Sequence, residues 1–302
     1  MRTAAEGERR GRRFRGWATY VALLPAAATA LFIYLGTMVW TVWLSFTPSR
    51  LVPINTFTGP GQYVRLFGDM RWQVSTANVA IYLVILIGLS LVIGTFLAIS
   101  LDQRVHGENT LRTLFLYPQG MSFVVTGLIW KWILNPAFGL QNIVRGLGWT
   151  GARLDWIADP KAAIYVIAFA GVWQASGLVM AILLSGLRSV DQSLWSAARV
   201  EGIPPWRFYW SVVLPELRPA YITATVLLAV GGVKVYELVI AMTNGGPGMA
   251  SEVPAKYVMD FLFRRANLGL AAAASTVMLV TVAAVVVPWV YVEFIRKRKG
   301  AA

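Results

Sequence analysis

Long runs without Asp, Glu, Lys or Arg are the feature that most limits how this chain can fold. A helix needs about 20 apolar residues to cross about 30 Å of hydrocarbon, and in lipid its backbone groups must bond internally. The sequence therefore predicts an all-α membrane protein with six transmembrane helices. The runs cover residues 16–49, 72–101, 113–130, 162–187, 266–292 and 219–251, the last interrupted only by Lys234 and Glu237.

The expected organisation is one membrane domain, residues 17–297, between a basic N-terminal tail, 1–16, and a short C-terminal tail, 298–302. Six spans place both termini on the same side. Basic residues crowd both ends of the chain, which predicts that this side is the cytoplasm. The expected spans are 17–46, 75–101, 112–134, 162–187, 219–243 and 268–294.

Composition excludes several other functions. Only 14% of the residues are charged, against roughly a quarter in a soluble domain. The chain has no cysteine and a single histidine, His106, so we expect no metal site and no catalytic triad. No phosphate-binding loop with a Gly-Lys pair occurs, so the chain is not an ATPase and needs no cofactor of its own. The net charge of +13 lies mainly beside apolar runs, which favours lipid headgroups over nucleic acid.

The loop from Asp191 to Pro219 is the most informative polar segment. Asp191 is a good N-cap, residues 192–201 suit a short helix, and Gly202 with the following prolines ends it. A second amphipathic stretch, residues 206–214, leads back to the membrane. From these residues alone two interpretations stay open: a helix that lies on the bilayer or a helix that docks another protein. The bilayer anchors would be Trp195, Trp206 and Trp210.

The same loop resembles the Glu-Ala-Ala signature of the permease subunits of ATP-binding-cassette (ABC) importers. It reads Ser196-Ala197-Ala198, then Gly202, nine residues, Val212, and Leu214-Pro215, with Ser196 in place of the usual Glu. The resemblance implies a cytoplasmic coupling helix within 191–210, between helices 4 and 5, that docks on an ATP-binding subunit. The residues that it assigns to docking are Ser196, Ala197, Ala198, Arg199, Glu201, Gly202, Leu214 and Pro215.

Further segments resemble the carbohydrate-uptake permeases of the maltose, glycerol-phosphate and glucose/mannose type. They are Phe115–Pro118, Gly127–Trp130, Asn135–Leu140, Gly171–Gly177 and Thr243–Gly248. The resemblance implies the type I ABC importer fold in a bacterial or archaeal inner membrane. It implies a glucose- or mannose-like sugar, or a small oligosaccharide, delivered by an extracytoplasmic binding protein. The implied partners are a second, homologous permease and two ATP-binding subunits, which carry the ATP and magnesium.

Two groups of residues are candidates for the substrate path. Ionisable residues inside a span are functional hypotheses by default, and the fifth span holds Lys234 and Glu237, with Tyr236 between them. At i and i+3 the two charges could instead form a structural pair on one helix face. In the fourth span Trp173, Gln174 and Ser176 offer a ring to stack on a sugar and groups to bond its hydroxyls. Simple packing is the alternative for Trp173.

A different class of function also fits a six-helix chain. An ion-coupled transporter or channel would work without an ATPase partner, but it needs carboxylates inside the membrane. Glu237 is the only acidic residue inside the predicted spans' charge-free runs. The sequence therefore favours the importer subunit over this alternative.

Overall fold

The computed structural model describes residues 2–103 and 107–291, with side chains from Ala22 onward. His106, the basic cluster 296–299 and the predicted tail 298–302 lie outside the described residues. Every regular element in the described ranges is helical, which confirms the all-α prediction. The helices are α1 Arg2–Leu44, α2 Gly61–Gly68, α3 Met70–Asp102, α4 Glu108–Leu116, α5 Phe123–Ile133, α6 Leu140–Gly146, α7 Ala163–Ser189, α8 Gln192–Val200, α9 Pro205–Phe208, α10 Leu214–Glu216, α11 Arg218–Val233, α12 Glu237–Met242, α13 Pro254–Met259 and α14 Leu268–Val290.

Four helices are long and apolar enough to cross a membrane: residues 22–44 of α1, and all of α3, α7 and α14. The segment α9–α10 together with α11 also qualifies as one span, but it bends by 65° at Leu217. The apolar helix α5 has 11 residues, too few to cross a membrane by itself. The predicted number of six spans therefore remains a prediction.

Helices α3 and α7 form the centre of the molecule and run in the same direction. Tyr82 lies beside Gly171, and Gly94 lies beside Val179. Helix α11 runs the opposite way, with Gly232 near Leu83. The molecule therefore has two ends. The Arg71 end holds the start of α3 and the segment 243–267, and the α8 end holds the end of α3 and helix α8.

Two of the predicted spans are interrupted near their middle. In the third, Pro118 lies in a 3-10 turn, Tyr117–Gly120, that separates α4 from α5, because proline removes a backbone donor. In the fifth, residues 234–236 separate α11 from α12. The helices that follow the two breaks pack tightly, since a Cβ on Gly127 would lie 2.5 Å from that of Ala241.

Candidate substrate pathway and docking helix

The break in the fifth span changes the interpretation of its charged residues. Helix α11 ends at Val233, and Tyr236 has φ −140° and ψ −61°, outside the helical region. Lys234 and Glu237 are therefore not on one helix face, and no ion pair between them occurs among the described residues. The alternative of a structural pair on one helix face is therefore not realised in this structure. Gly231 and Gly232, which have low helix propensity, directly precede the break.

The break opens onto a partly enclosed cavity of about 130 Å³ that is lined mainly by α3, α7, α11 and the break itself. Of the candidate residues, Gln174, Lys234, Tyr236 and Glu237 line this cavity. Trp173 and Ser176 are not among its lining residues. Broken helices are tolerated at membrane depth where their backbone lines a cavity. The structure thus brings four of the six candidates together.

Gln174 links the cavity to the break in the third span. Its Nε2 donates a hydrogen bond of 2.9 Å to the carbonyl oxygen of Met121, directly after the 3-10 turn. Gln174 is only 2% exposed, and its buried Oε1 has no hydrogen-bond partner in the described part of the chain. A buried polar oxygen without a partner costs free energy, so this atom is poised to accept from water or a ligand.

Trp173 and Ser176 have other neighbours. The ring of Trp173 lies edge-to-face with Trp130 at 6.0 Å between centroids. The Ser176 hydroxyl donates to the carbonyl of Trp173 at 3.2 Å. For Trp173 these contacts favour the packing alternative over sugar stacking.

A second, more open groove lies on the other side of the same break. Its volume is about 490 Å³, and Lys234, Tyr236 and Glu237 line it as well. The remaining wall comes from α13 and α14, including Met259 and Ser275. Residues 234–237 thus lie between the cavity and the groove and border both. We call this segment the partition.

Helix α8 forms where the local signals predict it. The Asp191 carboxylate accepts from the backbone N–H of Ser193 at 2.8 Å, and this bond lowers the pKa of Asp191. At the other end Gly202 has φ +68°, and Ile203 N–H donates to the carbonyl of Ala198 at 2.9 Å. This is a Schellman cap, which requires the left-handed conformation that glycine adopts freely.

The two faces of α8 differ. Ala198 is buried, and the Trp195 ring packs on Phe208 at 4.6 Å between centroids. Trp195 therefore does not serve as the bilayer anchor of the first interpretation, whereas Trp206 and Trp210 are exposed. Of the remaining predicted docking residues, Leu214 is half-buried and the others are exposed: Ser196, Ala197, Arg199, Glu201, Gly202 and Pro215.

An open groove of about 810 Å³ lies beside α8. Its wall carries Asp102, Glu108, Arg188 and Arg199. Arg188 pairs with Glu108 across the groove, and the Tyr209 hydroxyl donates to Asp102 at 3.3 Å. The surface is polar and wide enough to admit side chains of another protein.

The Arg71 end contains an ionic network that sequence reasoning missed. Arg71 binds Glu252 at 2.6 Å and also binds Asp260, while Lys256 binds Asp260 at 2.8 Å. These four side chains are largely buried and carry two charges of each sign. The i, i+4 spacing of the last three residues was a local signal. Arg71, the common partner of the two acids, lies 181 residues from Glu252 and was not visible in the sequence.

Asn78 and Asp69 complete this network. The Asn78 side-chain amide donates to the carbonyl of Glu252 at 2.9 Å. The Tyr257 hydroxyl donates to Asp69 at 2.8 Å, and burial together with this bond raises the pKa of Tyr257. Burial alone would raise the pKa of Asp260, but hydrogen bonds from Lys256 and Arg71 outweigh it and hold that pKa below its usual value. The segment before α13 is thereby fixed to the start of α3.

Within residues 2–103 and 107–291 no group of three or more His, Cys, Asp or Glu side chains has the arrangement of a metal site. The Arg71 network instead pairs its acids with bases.

Comparisons with known proteins identify the chain's relatives. The profile of the family described as "Binding-protein-dependent transport system inner membrane component" matches residues 90–299. A probable ABC transporter permease protein of Pyrococcus horikoshii is 35% identical over 89% of this chain and 93% of its own length. The xylose/arabinose import permease protein XacH of Haloferax volcanii is 32% identical over 70% of this chain and 68% of its own.

A solved structure shows the fold. A bacterial alginate ABC transporter, in complex with an alginate pentasaccharide-bound periplasmic protein, contains a chain that superposes with a TM-score of 0.77 at 19% identity. The match covers 93% of this chain and 95% of the other. It confirms the predicted type I importer permease fold.

Proposed function

This chain belongs to the family of binding-protein-dependent transport system inner membrane components, and from that premise we propose that it conducts a sugar across the membrane. As an ABC importer permease it is a non-catalytic transport subunit, and ATP hydrolysis resides in partner subunits. The family assignment removes the ion-coupled alternative. The sugar is supported by the names of the relatives, which include a pentose importer and an alginate importer.

The substrate path runs along the partition at residues 234–237. The observation that carries this proposal is a broken span beside a cavity lined by Gln174, whose buried Oε1 has no hydrogen-bond partner among the described residues. The cavity of about 130 Å³ has room for a few water molecules, each of which takes up about 30 Å³. The open groove of about 490 Å³ has the size of a small-ligand pocket. We therefore place the sugar in the groove, with Tyr236 and Glu237 against it and Gln174 reaching it through water.

Force from the ATP-binding subunits enters through α8. Its exposed face, Ser196, Ala197 and Arg199, is the docking surface, and its buried face transmits movement through Trp195 to Phe208. The α8 end is then cytoplasmic, as are both termini, and the Arg71 end faces the binding protein. A second, homologous permease completes the pathway across the open groove.

Uptake by the reconstituted complex tests the sugar path. The complex comprises both permeases, two ATP-binding subunits and the binding protein, and the assay uses glucose, xylose and small oligosaccharides. Gln174→Leu removes the unpaired acceptor, and Tyr236→Phe removes one hydroxyl. Each should raise the KM for the transported sugar about tenfold, the worth of one hydrogen bond.

Ser176→Ala is the matched control, because its hydroxyl is already bonded within α7 and lies outside the cavity wall. Its KM should stay at the wild-type value. Equal KM changes in all three variants, or no change in Gln174→Leu, would contradict the proposed path.

A further inference from the structure

The segment 139–157, between α5 and α7, folds into a small unit that we call the α6 lobe. Gln141 is buried at its centre, and its Oε1 accepts from the Leu154 N–H at 2.6 Å. The Arg145 Nε donates to the carbonyl of Ala152 at 2.8 Å. The polar side chains of the lobe thus bond its own backbone.

Three apolar side chains at α6 point outward. Leu140 and Ile143, in the helix, and Leu147, its C-cap, are 42%, 59% and 83% exposed, and their spacing of three and four residues is that of one helix face. Trp149, 73% exposed, follows directly. A lobe surrounded by water would show the opposite pattern, with leucine inside and glutamine outside. This apolar stripe therefore has a partner that is not water.

The position of the lobe identifies its depth in the membrane. Gly139 lies directly on the carbonyl end of α5, where an added Cβ would be 2.3 Å from the Ile133 oxygen. Its N–H donates to the Asn135 carbonyl at 2.8 Å. The outer face of α5 is itself apolar and exposed, at Leu128 and Trp132. Along the chain, the stripe thus follows directly after a helix whose outer face is also apolar and exposed.

We propose that the α6 lobe lies in the bilayer at the boundary of headgroups and acyl chains, with Leu140, Ile143 and Leu147 facing lipid. Interfacial helices combine such aliphatic residues with tryptophan and basic residues, and Arg145, Arg153 and Trp149 supply the latter here. A binding protein that docks and leaves would meet a more polar surface, and leucine is scarce among the residues that dominate such interfaces. The lobe anchors the end of α5 at a fixed depth.

Single-cysteine variants test this depth, because the natural chain has no cysteine. Leu147→Cys and Ile143→Cys carry the probe on the stripe, and Arg153→Cys carries it on an exposed, polar part of the same lobe. Each complex is labelled with an environment-sensitive fluorophore and reconstituted in nanodiscs with shallow doxyl-labelled lipid. The stripe labels should be quenched by the lipid at least about twofold more than the label at residue 153. They should also be protected from aqueous iodide.

Two results would overturn the proposal. One is equal quenching by iodide at residues 147 and 153 with no quenching by the labelled lipid. The other is protection of residue 147 only when the binding protein is added, again without lipid quenching, which would assign the stripe to that protein. All variants sit at exposed positions, so retained uptake verifies their fold.

Discussion

The charged side chains at the two ends of the molecule differ in burial. At the Arg71 end, Arg71, Lys256, Glu252 and Asp260 satisfy one another inside the protein. At the α8 end, the pair of Arg188 with Glu108 is partly exposed, and the charged wall of the groove is open. A buried network fixes one arrangement of its segments, whereas an open polar surface can accept another protein. The difference fits the proposal that α8 docks a partner, while contacts within this chain hold the Arg71 end.

The largest effect should come from Arg71→Ala. It leaves two largely buried carboxylates with Lys256 as their only buried counter-charge among the described residues, and breaking a buried pair costs about 3–5 kcal/mol. Thermal unfolding of the purified permease should therefore show a marked loss of stability. Arg264→Ala is the control, because Arg264 is 74% exposed and should contribute within about 0.5 kcal/mol. Equal stabilities of the two variants would show that the network does not hold the Arg71 end.

At the α8 end, Gly202→Val should destabilise by less. A β-branched residue in the left-handed conformation costs about 1–2 kcal/mol, although no atom lies within 4 Å of the added Cβ. The altered end of α8 should abolish uptake while the protein still inserts. Gly248→Val has a similar φ of +61° and open space, and it tests the same strain at the other end. Normal uptake by the Gly202 variant would contradict the role of α8 as the lever.

The exposed face of α8 allows a test with almost no change in stability. Ala197→Trp adds bulk on the docking surface and should shift stability by less than about 0.5 kcal/mol, because Ala197 is exposed. It should nevertheless prevent co-purification with the ATP-binding subunit. Ser196→Glu restores the family's usual residue and should leave co-purification intact. Retention of the ATP-binding subunit by the Ala197 variant would move the docking surface elsewhere.

A last prediction concerns how stability depends on pH through Asp260, whose pKa lies below its usual value in the folded protein. A lowered pKa stabilises the fold above the unfolded value, about 3.9, and this contribution disappears as the pH falls through the folded value. The wild type should therefore lose stability on acidification below about pH 4. Unfolding measured against pH in wild type and Asp260→Asn checks this, since the variant lacks this component. Parallel curves for the two proteins would count against it.

Local signals explain what the sequence could predict. The charge-free runs mark α3, α7 and α14, and the pair Asp191 and Gly202 marks the limits of α8, because caps act through adjacent residues. The Arg71 network depends on residues far apart in the chain. The local signal for the break at 234–236, the pair Gly231 and Gly232, is too weak by itself to predict where the helix ends. A pairing of Lys234 with Glu237 looked sound on an unbroken helix. Only the packed structure shows that the helix ends first.

The separation of 181 residues between Arg71 and Glu252 has a consequence for how the protein is made. A ribosome adds about 5–20 residues per second, so Arg71 leaves it about 10–40 s before its acidic partners are synthesised. During that interval the two acids that neutralise its charge in the folded protein have not yet been synthesised. The network can therefore form only after about five-sixths of the polypeptide has been translated.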